Sequence, residues 1–86
     1  MPRYRIRMTN SEFESVDEAD YPSLEAARRA AVATASRVVA EAIASGAPNS
    51  SVEVQIDEDG EMVARNVVTL SVSDLSGGEA AIPDGV

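Results

Sequence analysis

Cysteine, histidine, lysine and tryptophan are all missing from the 86 residues. Without cysteine there is no disulfide framework and no thiolate metal site. Without histidine the usual general base near neutral pH is gone, and so is the commonest metal ligand. With lysine absent as well, no base stands ready to activate the serines and threonines as nucleophiles. The expectation is a non-catalytic protein with no cofactor and no metal. Aromatic residues make up 3% of the chain, one Phe and two Tyr. The core must therefore be assembled from Val, Ile, Leu, Met and many Ala. Small side chains remove little area each from water, at about 25 cal/mol per Å², which predicts modest stability or stabilisation by oligomerisation.

Long apolar runs are missing too. Nothing approaches the ~20 residues needed to span a bilayer, and no hydrophobic signal segment follows the charged N-terminus. A cytoplasmic protein without a membrane role is expected. Basic charge is scarce: 7 Arg against 15 Asp and Glu leave a net charge of -8. Phosphate neutralisation needs an excess of Lys and Arg, so direct nucleic-acid binding is not expected. An acidic surface favours solubility and suits a basic partner. The use of Arg alone beside abundant Ala fits the coding bias of a GC-rich bacterial genome.

At this length one small domain with one core is expected. Arg3-Tyr4-Arg5-Ile6-Arg7-Met8 alternates strictly. Side chains on a strand point to opposite faces with period 2, so Tyr4, Ile6 and Met8 share one face and the three arginines the other. A two-residue Asn10-Ser11 loop would return the chain as a second strand over Glu12 to Val16, with Met8 opposite Phe13 and Arg7 opposite Glu14. The Asp17 to Tyr21 stretch has no strand pattern and reads as a loop.

A helix is predicted from Leu24 to about Ser45. Ser23 is its N-cap, Glu25 lies in the first turn at the positive end of the dipole, and Gly46 with Pro48 ends it. At 100° per residue Leu24, Ala27, Ala31, Ala35, Val38, Val39 and Ala42 form an Ala-lined seam, with Val32 and Ile43 at one flank. Asn49-Ser50-Ser51 matches the N-glycosylation pattern, which carries no weight without a secretory signal.

Val52, Val54 and Ile56 alternate with Glu53, Gln55 and Asp57 as a third strand, and the chain turns at Glu58-Asp59-Gly60 into a fourth. A two-residue Asp59-Gly60 loop would set Arg65 opposite Val54 on the buried face. A three-residue loop with a bulge at Gly60 is therefore expected, setting Ala64 opposite Val54 and Arg65 opposite Glu53. Met62, Ala64, Val68 and Leu70 would then face the helix. Asn66 would face inward with them, where a polar partner, a strand end or a second bulge is expected. The fold class is α+β: a two-layer ββαββ domain over residues 1–72, one long helix on an antiparallel four-stranded sheet. Residues 73–86 read as a flexible acidic, Gly-rich tail.

Three features bear on function. The Arg3, Arg5 and Arg7 stripe suits carboxylate partners. The outward carboxylates of neighbouring strands favour pairing within the sheet, at about 0–1 kcal/mol per exposed pair. Asp57-Glu58-Asp59-Gly60-Glu61 invites a calcium reading, which its spacing refuses: Gly is not at loop position 6 and no bidentate Glu closes the loop. A single helix over four strands leaves apolar surface uncovered, and Val63 and Val67 on the outer face add to it.

The Met1-Pro2-Arg3-Tyr4 opening, the Leu24-Glu25-Ala26-Ala27-Arg28 helix start and Asp57-Glu58-Asp59-Gly60 fall in order over roughly residues 1–70. In these pieces the chain resembles a family of small alphaproteobacterial proteins of unknown function. It departs from them at Arg5, Ile6 and Arg7, where aromatics are usual, at Ala19-Asp20, where a Gly is usual, and in its longer polar ending. The resemblance implies the fold and no activity. The functional expectation is an interaction or regulatory module that forms a homodimer through its sheet or takes a protein partner. Arg3, Arg5, Arg7, Arg65, Val63 and Val67 are its candidate contacts. The alternative is an antitoxin-like or nucleic-acid-mimicking acidic domain on a basic partner. A small-molecule binder is the remote third, because an Ala-rich seam leaves little cavity.

Overall fold

A computed structural model describes residues 1–73. The elements run β1 (Arg3–Thr9), β2 (Glu14–Asp20), α1 (Leu24–Ala44), β3 (Asn49–Glu58) and β4 (Glu61–Ser71). They form the expected α+β arrangement, a helix on an antiparallel four-stranded sheet of order β2-β1-β3-β4. The two hairpins join through β1 and β3, leaving β2 and β4 as the edges. The expected tail lies, beyond Ser73, outside the described residues.

The helix begins and ends as the sequence dictates. Ser23 is extended and its Oγ accepts from the Ala26 N–H at 3.1 Å. At the far end Gly46 takes φ 111°, the Ala47 N–H reaches back to the Ala42 carbonyl and the Gly46 N–H to the Ile43 carbonyl. This Schellman arrangement satisfies carbonyls that the last turn leaves open.

Ala27, Ala31, Ala35 and Val39 are buried against Tyr4, Ile6, Val52, Val54 and Ile56. Alanines on the helix let its backbone come close to the sheet, so the larger side chains of the core come mostly from the strands. Tyr4 closes one end, its ring centroid 6.4 Å from that of Tyr21 at a tilt of 49°. Burial, and secondarily the Glu58 carboxylate, raises the Tyr4 phenol above its ordinary pKa.

The helix is not centred on the sheet. It lies over β3 and β4, reaches β1 only at its margin and leaves β2 uncovered. That offset explains the first correction. Asp17 to Asp20 is not a loop but most of β2, which runs Glu14–Asp20. A strand with neither face buried has no reason to alternate, and six of its seven residues are exposed.

The first hairpin is also longer than expected. The Asn10 carboxamide Oδ1 accepts from the Glu12 and Phe13 N–H groups, and the Asn10 N–H donates to the Phe13 carbonyl. This Asx-type closure makes a four-residue loop. It sets Met8 opposite Ser15 and Arg7 opposite Val16 rather than Phe13 and Glu14.

The second hairpin corrects the expected register. Its loop is the two residues Asp59-Gly60, both at positive φ (55° and 79°), with Glu58 opposite Glu61. The bulge falls upstream of the turn, where Val63 has no partner between the pairs Asp57–Met62 and Ile56–Ala64. Ala64 therefore opposes Ile56, not Val54, and Arg65 opposes Gln55, not Glu53. Ala64 and Val68 do pack on the core as expected. Met62 lies across from Asp57 on the opposite side and is 51% exposed. Leu70 keeps the helix side, across from Ser50, yet stays 41% exposed.

Candidate interaction surface

The sheet face away from the helix is built by period 2. The register sets Arg3, Arg5, Arg7 and Thr9 beside Asp20, Glu18, Val16 and Glu14 on one flank. On the other flank Arg5, Arg7 and Thr9 lie beside Asp57, Gln55 and Glu53. Column by column, the face runs acidic on β2, basic on β1, acidic on β3, and mixed on β4 with Arg65 and Val67.

The stripe pairs within its own sheet. Arg3 Nε lies 3.3 Å from Glu18 Oε1, and its Nη1 3.3 Å from Asp20 Oδ1. Arg7 Nε lies 3.3 Å from Glu14 Oε2 without hydrogen-bond alignment, so this contact is diagonal and purely ionic. Arg65 Nε donates to Glu53 Oε2, which raises the guanidinium pKa first through that bond and then through the carboxylate charge. Arg5 makes no ion pair among the described residues. The arginines thus serve mainly as cross-strand partners, each contributing little in water.

The apolar part of the surface lies elsewhere. Met62, Val63, Val67 and Leu70 are exposed on β4, and Val72 follows directly. Val16 is 44% exposed on β2. Of the expected candidates, Val67 stands on the open face beside Arg65. Val63 does not join the strand's alternation, because the bulge displaces it. Sequence reading missed Met62 by assigning it to the helix side, and Leu70, which does keep that side, by expecting it to be covered. The signal that could have found Met62 is the Asp59-Gly60 pair, the residue combination of a two-residue turn.

Asn66 is the polar intruder on the covered side. It lies across from Val54, and its Oδ1 is buried without a hydrogen-bond partner. The expected polar partner is not present among the described residues. A concavity of about 580 Å³ lies where the Thr9 to Phe13 turn meets Val38, Ala42 and β3. Among the described residues no group of three or more carboxylates is placed to hold a metal ion, and no described helix is long and apolar enough to cross a membrane.

A model of the family described as a domain of unknown function, DUF6894, matches residues 3–69. No curated protein and no solved structure matches the chain. The chain belongs to the DUF6894 family.

Proposed function

We propose that this member of a family of unknown function is a small non-catalytic interaction module that self-associates through its sheet. One observation carries the reading: most of the exposed large apolar side chains gather along β4, an edge strand that among the described residues has no strand on its outer side. Exposed apolar edges are what sheet proteins either blunt with charge or cover with a partner. The absence of histidine, cysteine and lysine supports a non-catalytic role, and small side chains in the core favour association as a source of stability. The test is light scattering on the purified full chain over a wide concentration range. A concentration-dependent dimer supports the reading, and a monomer throughout opposes it.

A second reading has its own observation. Asp57, Glu58, Asp59 and Glu61 crowd the β3–β4 turn and make no ion pair among the described residues. This acidic tip suits a basic partner, as in an antitoxin-like or nucleic-acid-mimicking domain. Salt-sensitive binding of an Arg-rich peptide that disappears on charge removal at the tip would favour it.

A further inference from the structure

The two edges of the sheet differ in what they offer. β2 presents Glu14, Asp17, Glu18 and Asp20 within seven residues. Two such edges brought together would set like charges across from one another. β4 is 11 residues long, has no proline and carries only Glu61 and Arg65 as charges. It also holds most of the exposed apolar side chains. On its covered side the Asn66 Oδ1 is buried without a partner among the described residues, an unfavourable state until a donor is supplied.

We infer that a second copy of this chain pairs antiparallel along β4, with Asn66 facing its own counterpart on the two-fold axis. The inference rests on the self-association reading above and names its edge and register. In this register each carboxamide turns about χ2, a soft rotation, and the amide of one copy donates to the Oδ1 of the other. Arg65 then faces Val67 of the second copy, its aliphatic stem along the valine while its head keeps Glu53. Ala64 faces Val68. Centring the axis on Arg65 would oppose two guanidinium groups, and centring it on Val67 would leave the Asn66 carbonyl facing Val68. Asn66 is the centre that removes the unpaired group.

The helices fit the same arrangement. α1 rides over β3 and β4, so two copies would place their helices about two strand spacings apart, ~10 Å. That is close to the 8–10 Å at which helices pack. Ala30 and Thr34 border the hollow over β1 and β2. At 100° per residue the opposite flank, toward β4, is that of Val32, Ser36 and Ile43. Those three positions are small or apolar, whereas Glu25, at the same angle as Ile43, and Arg28 and Arg29 beside it put charge at the N-terminal end of that flank, where they pair with one another.

The cysteine-free chain makes the test clean. Full-length Arg65→Cys and Val67→Cys are prepared separately, then oxidised alone and mixed, beside Glu18→Cys as a probe of the β2 edge. Directly opposed Cα atoms in an antiparallel pair lie ~4.5–5.5 Å apart, within disulfide reach. Each cysteine and its own counterpart would be separated by a diagonal of about 8 Å, beyond it. The mixture is expected to form covalent dimer several-fold faster than either variant alone, with Glu18→Cys forming little. Light scattering that finds only monomer for the unmodified chain overturns this inference together with self-association. A dimer in which the mixture has no advantage, or in which Glu18→Cys cross-links best, overturns the β4 register and leaves self-association standing.

Discussion

Arg65 reaches past its register partner Gln55 to bond Glu53, two residues along β3 on the same face. The sequence brings these two side chains together on any register that keeps both outward, because a long guanidinium spans the diagonal neighbour as readily as the direct one. Both groups are solvated at their tips, so the bond fixes side-chain position more than it stabilises the fold. A double-mutant cycle with Glu53→Gln and Arg65→Gln in urea unfolding is expected to give a small coupling at low salt. Raising the salt should erase it.

The Ala seam is expected to be intolerant in both directions. Ile56 and Ala35 are both fully buried in the core between the sheet and the helix. Ile56→Ala removes several methyl groups from a core with few large side chains and should cost about 2–5 kcal/mol. For a domain of this size that is most of the stability, so its far-UV circular dichroism should show substantial unfolding near room temperature. Ala35→Leu forces the helix away from the sheet and should cost about 1–3 kcal/mol, read from the urea midpoint.

What was legible in the sequence follows from what was buried. Tyr4, Ile6, Val52, Val54 and Ile56 are all covered by the helix or its neighbours, and their alternation announced β1 and β3 directly. The helix announced itself through Ser23, Glu25 and Gly46, whose chemistry is local. β2 was hidden because the helix stops short of it, so no burial wrote a period into Asp17 to Asp20. Both hairpin registers were missed for a different reason. They depend on the Asn10 carboxamide closing a four-residue loop and on Asp59 accepting φ 55°, and a bulge at Val63 leaves no mark in the residue types. The outer-face pairing of the arginines survived these errors because their carboxylate partners line both flanking strands.

The Asp59-Gly60 turn should discriminate sharply between its two residues. Both have positive φ, the requirement of the mirror-image turn that suits hairpin twist. Gly60→Ala places a Cβ in that conformation at a cost of roughly 1–2 kcal/mol, although nothing crowds the site. Asp59→Asn should be neutral or slightly stabilising, since Asn tolerates the left-handed region well. Thermal unfolding of the two variants should therefore move in different directions or by clearly unequal amounts.

Glu25 should give the acid side of the stability profile a distinct slope. Its pKa is lowered chiefly by the hydrogen bond from Arg28, helped by the charges of Arg28 and Arg29 and opposed by partial desolvation. The folded state thus binds this proton less readily than the unfolded chain. The contribution is present above the ordinary glutamate range and is lost as pH falls through the lowered value. Glu25→Gln should flatten that part of the curve while leaving neutral-pH unfolding only slightly changed, as followed by urea midpoints at successive pH values.

Asn66 offers the most direct separation of monomer stability from assembly. In one copy its Oδ1 is buried without a partner among the described residues, so Asn66→Val removes an unmet desolvation cost and supplies a β-branched side chain suited to a strand. At dilutions where only monomer is present, the variant should unfold later in urea by about 1 kcal/mol. In a β4-paired dimer the same change takes away the one polar contact that distinguishes a single alignment, because an apolar edge can slide by two residues and still match faces. Combined with Arg65→Cys and Val67→Cys, it should keep the total cross-linking yield but erase the advantage of the mixture over either variant alone. A more stable monomer with an unchanged cross-linking preference would assign the register to the flanking side chains instead of the carboxamide pair.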